Sequence, residues 1–173
     1  SVTAAGARLL YRRITTPSQR LATIEERASA VAFFCGQSGL RGAVRSALKQ
    51  LPDVERALGR VALERSGPRD LLALGSGIIQ AAQVHALLAQ HDLPPLLHNA
   101  ADDLKGFEAL SDEMDRALVS DAPLLARDGG FVATGYSSEL DEITALRDEA
   151  RSVIARMQAD YADQSGIPSL KIK

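Results

Sequence analysis

The sequence predicts a mainly α protein: an irregular helical bundle, then one long protruding helix, then the first residues of a β-strand. Three observations lead there. Aromatic residues make up 4% of the 173 residues and Trp is absent. Ala, Leu, Arg and Glu dominate, and they favour helix because none is branched at Cβ. Apolar residues recur three and four apart, whereas strand-like alternation is almost missing.

The elements can be justified in chain order. Thr23 and Glu26 have the spacing of a capping box, and Ile24, Ala28, Val31 and Cys35 then share one helical face, which predicts a helix ending near Gly36. Leu40, Val44, Ala47, Leu48 and Leu51 repeat the pattern as far as Pro52, and Val54, Ala57, Leu58 and Val61 resume it. Gly67-Pro68 is a stop and a restart, because proline is already set for a first helical turn. A helix follows through Leu71, Leu74, Ile78, Ala82, His85 and Leu88, and Pro94-Pro95 interrupts the pattern. Phe107, Leu110, Met114 and Leu118 mark a further helix that ends before Pro123.

The last element is the most informative. Asp128-Gly129-Gly130 reads as a turn, Gly135 allows another reversal, and Ser138 with Asp141 forms a shortened capping box. Leu140, Ile143, Leu146, Ala150, Val153, Ile154, Met157 and Tyr161 then form one stripe. It spans roughly 25 residues, or about 38 Å at the helical rise. Gly166 has the place of a left-handed cap, and Leu170 and Ile172 alternate with Lys171 and Lys173 as a strand begins. The division is therefore residues 1–136 as helical core, 137–165 as long helix and 166–173 as the start of a strand whose partner is missing. With no initiator Met at Ser1, the sequence reads as a piece of a longer chain.

Composition narrows the function classes. The chain is 46% hydrophobic and 24% charged, ordinary values for a globular domain. Cys35 is the single cysteine, which excludes a disulfide framework, and no run is expected to reach the apolar length of a membrane span, so a cytoplasmic location is expected. From Ser1 to Arg69 there are 12 Lys/Arg against 5 Asp/Glu, and from Asp70 to Lys173 there are 8 against 17. The basic half either meets anions or forms solvated helix faces; arginines spread singly favour the second reading.

No residue constellation points to catalysis. His85, His91 and His98 include no pair four apart, as two zinc ligands on one helical face require. His98 and Asp102 have the spacing of a surface hydrogen bond, and Asp102-Asp103 lacks the second acidic cluster that metal-bound diphosphate chemistry needs. Gly75-Ser76-Gly77 is followed by no Gly-Lys-Ser/Thr and lies within a helical pattern, so it predicts no phosphate loop. Cys35, inside an apolar stripe, reads as core rather than nucleophile. Arg8, Arg12, Arg13 and Arg20 have the charge to meet phosphate, but lack the aromatic interleaving that base stacking uses. No catalytic, cofactor-binding or metal-ligating residue is expected here.

An ordered string of short motifs runs along almost the whole chain. It comprises Gly6-Ala7-Arg8-Leu9-Leu10, Pro17, Leu51-Pro52-Asp53-Val54-Glu55-Arg56, Arg60-Val61-Ala62-Leu63 and Pro68-Arg69-Asp70-Leu71. Asp128-Gly129-Gly130-Phe131-Val132, Gly135-Tyr136, Glu139-Leu140-Asp141-Glu142 and Ser165-Gly166-Ile167-Pro168 complete it. In this order the string resembles the core region of the MutS family of DNA mismatch-repair proteins, with the first lever helix, ending where the clamp begins. Pro68, Arg69, Asp70, Asp128, Gly129, Gly130, Gly135, Tyr136, Glu139, Leu140, Asp141 and Gly166 are its structural signature. Four departures stand out: Arg13 occupies the place of a common Trp, the usual acidic residue soon after Pro17 is absent, Tyr136-Ser137 replaces a common Tyr-Asp pair, and Ser165-Gly166 replaces a common Thr-Gly.

The resemblance implies a parent that is a DNA-dependent ATPase of mismatch repair. It implies ATP and Mg for that parent, mismatched double-stranded DNA as ligand, a homodimer, repair proteins as partners, and no membrane. The family's mismatch wedge and ATPase loop are not found in this sequence, so the segment itself is expected to be no enzyme and to hold no cofactor. The alternative expectation is a freestanding helical module that holds an acidic partner or a nucleic-acid backbone without sequence preference.

Overall fold

The computed structural model describes residues 1–167 and Lys171. Among these are eight α-helices: α1 (Ala4–Thr15), α2 (Leu21–Gly36), α3 (Ser38–Lys49), α4 (Val54–Ala62), α5 (Pro68–Leu88), α6 (Pro95–Asp102), α7 (Glu108–Ala117) and α8 (Ser138–Ser165). The chain forms two compact units, Ser1–Val132 and Ala133–Lys173. The strand expected from Leu170 and Ile172 falls outside the described residues.

The helical expectation holds, and the first unit is a bundle built around α5. Helices α3, α4, α6 and α7 all pack on α5. Its core is Leu40 and Val44 from α3, Val84 and Leu88 from α5, and Ala101 from α6, with Phe33, Phe34, Leu93 and Leu104 packed around them. The spacing that predicted α3 therefore also identified its buried face. Small residues let the helices approach: a Cβ on Gly77 would stand 2.3 Å from Val54 Cγ2, and one on Gly75 would stand 3.4 Å from Met114 Sδ. This packing explains why α5 is apolar around much of its circumference. It is long and apolar enough to cross a membrane by length and composition, which corrects the expectation that no run approaches that length. In this fold its apolar surface meets four neighbouring helices.

Some helix starts differ from the sequence reading. Helix α2 begins at Leu21, so Thr23 and Glu26 lie inside its first turns and form no capping box. The preceding link is tightened by the Ser18 hydroxyl, which accepts from the Arg20 N–H at 3.2 Å. The buried face of α2 is also rotated from the expected one. Ala30 is buried, and Phe33 and Phe34 pack edge to face with centroids 5.5 Å apart, whereas Ile24, Val31 and Cys35 are exposed. The reading of Cys35 as core is thereby corrected. Apolar residues surround much of α2, so periodicity alone could not choose the side that meets α3 and α6.

Two helices had no counterpart in the periodicity. Helix α1 is capped by Thr3, whose hydroxyl accepts from the Gly6 N–H at 3.0 Å, and it contains no buried residue. Helix α6 starts at the very prolines that interrupt the preceding pattern: Pro95 occupies its first turn, where a missing N–H costs nothing.

Helix α5 also holds a polar irregularity. Among the described residues the buried Gln80 Oε1 atom has no hydrogen-bond partner. An unsatisfied buried amide costs about 1–3 kcal/mol, and turning the amide over would only exchange an orphan acceptor for an orphan donor. Gln80→Met, of similar length, is expected to raise stability by about 1 kcal/mol. Chemical denaturation should show a higher midpoint at unchanged slope; a lower midpoint would show that the amide is satisfied in solution.

Candidate functional site

The signature residues occupy junctions between helices rather than a cleft. Pro68 is the buried first residue of α5. Asp70, one turn later, turns back so that its Oδ2 accepts from the Gly67 N–H at 3.0 Å, half of a capping box. Its Oδ1 accepts from Arg60 Nε of α4 at 2.9 Å. The Arg60 guanidinium, with smaller help from the Gly67 N–H, holds the Asp70 carboxyl below the usual carboxylate range against the opposing effect of burial. Arg69 points elsewhere: its Nε donates to the Ala122 carbonyl at 3.0 Å. Ala122 is only 2% exposed, and nearby a Cβ on Gly67 would stand 2.5 Å from the Leu124 carbonyl oxygen. Three consecutive residues thus start α5, tie it to α4 and fasten the segment after α7.

That segment carries the next part of the signature. Leu118 and Val132 form an isolated antiparallel bridge, and the Val119 N–H donates to the Phe131 carbonyl at 3.0 Å. No alternation in the sequence announced this pairing. Inside the closed loop, residues 126–128 form a 3-10 turn. Gly129 and Gly130 follow with φ of 68° and 69°, a consecutive pair of left-handed values that residues with a Cβ rarely adopt.

In the second unit the signature builds the start of α8. The Tyr136 N–H donates to the Ala133 carbonyl at 3.2 Å, closing a turn in which Gly135 has φ 88°. Asp141 Oδ2 accepts from the Gly135 N–H at 2.8 Å, and Ser137 Oγ accepts from the Leu140 N–H at 3.3 Å. The cap is therefore Ser137, one residue before the Ser138 expected from sequence. Serine and aspartate cap helices about equally well, so the departure from a Tyr-Asp pair leaves the capping role intact. Glu139 and Asp141 place negative charge in the first turn, where the helix dipole favours it. The 28-residue helix has no buried residue and ends at Gly166, with φ 67° in the left-handed region as expected.

One junction had no signal in the sequence. Arg8 forms a bidentate pair with Asp53, Nη1 to Oδ2 at 2.9 Å and Nη2 to Oδ1 at 2.6 Å, and its Nε also reaches Glu55 Oε2 at 2.9 Å. Asp53 is at once the cap of α4, its Oδ1 accepting from the Arg56 N–H at 3.4 Å. Arg8 is therefore engaged by two carboxylates within the fold. Its guanidinium holds the Asp53 carboxyl below the usual range, while Asp53 and Glu55 raise Arg8 in return. Because the folded carboxyl titrates below the unfolded one, this stabilisation is present above about pH 4 and is lost as pH falls through the folded value. The protection factor of α1 amides, taken relative to intrinsic exchange at each pH, is thus expected to be steady near neutrality and to fall in acid and in high salt. Protection independent of both would mean that the ion pair does not hold α1.

The other residues weighed from the sequence make local contacts. His85 Nδ1 lies 2.8 Å from the Ala101 carbonyl, and His98 Nδ1 lies 3.6 Å from Asp102 Oδ2, the surface contact its spacing suggested. Gly75-Ser76-Gly77 lies within α5, with Gly75 and Gly77 buried, so its backbone does not form a phosphate cradle.

The arrangement defines a class: a helical scaffold segment whose distinctive residues fix helix junctions. Comparison with known proteins agrees. Residues 1–162 match the family described as MutS domain III. Over all 173 residues the chain is 54% identical to the DNA mismatch repair protein MutS of Paracoccus denitrificans and 51% identical to that of Roseobacter denitrificans. It is 49% identical to that of Dinoroseobacter shibae. The chain belongs to the MutS domain III family. It spans 20% of the length of each of these relatives.

Proposed function

We propose that the chain is the core and first lever segment of a MutS-type mismatch-recognition protein, coupling its DNA clamp to its ATPase domains. The observation that carries this reading is the junction at Gly67–Asp70. One short motif caps α5, holds Arg60 of α4, and fastens the segment that leads by way of Asp128-Gly129-Gly130 toward α8. A long helix whose start is fixed by Ser137 and Asp141 is suited to carry displacement as a rigid rod, so that nucleotide state and DNA engagement bias one another.

The chemistry lies in the parent, a DNA-dependent ATPase using ATP and Mg, and no step of it runs through these residues. The same reading gives mismatched double-stranded DNA as ligand, a homodimer, repair proteins as partners and a cytoplasmic location. An antibody raised against this chain should detect in cell extract a polypeptide about five times its length, in keeping with the 20% coverage of its relatives. A band at the size of the chain alone would bring forward a freestanding helical module. Arg12, Arg13 and Arg20, all exposed, favour that second reading, which predicts salt-steep binding of duplex without sequence preference.

A further inference from the structure

We propose that the groove between α2, α3 and α6 receives an amphipathic helix with acidic flanks, supplied by the part of the same polypeptide outside these 173 residues. The groove has a volume of about 450 Å³. Val31, Phe34 and Leu97 contribute its apolar floor, and Arg13, Arg27 and Arg41 stand among the residues around it. Among the described residues no carboxylate lines it. Val31 is 64% exposed, so the floor is open to water in this chain.

The arginines are what identify the occupant. Elsewhere in the same unit, Arg8 and Arg60 are held by carboxylates. Among the described residues Arg13 and Arg27 have no such partner, and Arg41 makes one bond, from Nη1 to the Phe34 carbonyl at 3.0 Å, which leaves its other N–H groups available. Arg45 and Lys49 follow Arg41 at four-residue spacing along the exposed face of α3, extending the basic edge beyond the groove. An apolar floor beside a basic edge fits a helix with an apolar stripe bordered by Asp or Glu. A nucleic-acid backbone would satisfy the arginines but leave the floor wet.

The source follows from length. The relatives carry about four-fifths of their residues beyond the matched region, and a tethered segment whose linker matches the span binds as an intramolecular ligand at a raised effective concentration. An open groove of modest depth is sufficient for such a ligand. This inference rests on the reading of the chain as part of a longer protein.

Cys35, exposed in the groove lining, supplies the test. In the full-length protein, maleimide labelling of Cys35, resolved by peptide mass spectrometry, should be at least tenfold slower in native buffer than in urea. Arg27→Glu with Arg41→Glu should restore most of the urea rate at unchanged melting temperature; Arg13→Glu with Arg27→Glu is the substitute pair if the first does not fold. Arg27→Lys with Arg41→Lys should allow carbodiimide to join the groove to carboxylates of the same polypeptide, as mixed isotopic labelling would show. Equal labelling rates in buffer and urea would overturn the inference, as would protection that survives charge reversal. Cross-links between differently labelled copies would overturn the source within the same chain. A native polypeptide no longer than 173 residues would instead overturn the reading on which the inference rests.

Discussion

Gly67→Ala is expected to lower the stability of the helical core by about 1–3 kcal/mol, the range for forcing an extra carbon into packed structure. Two effects compete. Alanine restricts the unfolded chain and at a compatible backbone would contribute about 0.4–1 kcal/mol of stability. The Gly67 backbone is compatible, with φ −111°. The new Cβ, however, would stand 2.5 Å from the Leu124 carbonyl oxygen, a backbone atom that cannot swing aside. Its segment is fastened two residues earlier, where Arg69 holds the Ala122 carbonyl. The steric effect should win. Gly42→Ala in α3 is the control, because nothing lies within 4 Å of a Cβ there. That change should add about 0.5–1 kcal/mol by removing glycine from a helix interior. Urea denaturation of both variants should shift in opposite directions, and a Gly67→Ala midpoint at or above the parent value would show that the Ala122–Leu124 segment is not pinned.

Ala150→Pro is expected to break α8 at its middle at a cost of about 3 kcal/mol or more, from a lost backbone bond and a clash with the carbonyl one turn earlier. Helix α8 has no buried residue to compensate. Within this chain, the caps at Ser137 and Gly166 and side-chain pairs such as Arg147 with Asp148, at 2.9 Å, would remain. The core unit carries its own buried residues and should keep its melting transition. In the full-length parent, the break should abolish most of the stimulation of ATP hydrolysis by mismatched DNA and spare basal hydrolysis. Stimulation that persists through the break would end the lever proposal; loss of basal hydrolysis as well would point to a general folding defect. Ala150→Gly separates rod stiffness from helix propensity, since it weakens the helix by only about 1 kcal/mol without a clash.

The helical class and most helix extents were legible because each depends on short-range rules. Apolar spacing marked α3, α4, α5, α7 and α8, and Gly36, Pro68 and Gly166 stand at or beside the boundaries where local chemistry put them. The errors have physical causes. Ser137 and Ser138 are adjacent and equally able to cap, so only the path of the Gly135 turn, held by Asp141, selects Ser137. Helix α2 is apolar on several sides, and its neighbours rather than its periodicity turned Ala30 inward and Cys35 outward. Helix α1 buries nothing, and its attachment through Arg8 joins residues 45 and 47 positions apart.

The sequence by itself determined the class of the protein, the long helix and the ordered motifs that place the chain in its family. Propensity, caps and three-to-four spacing act within a few residues and are written into neighbouring letters. Only the tertiary structure decided what the signature does. Arg69 meeting Ala122, Gly67 giving room to Leu124, Arg8 reaching Asp53 and Gly77 admitting Val54 are contacts between distant residues. Their geometry exists only once the helices have packed, because the core around Val84 and Leu88 fixes the distances at which those side chains meet.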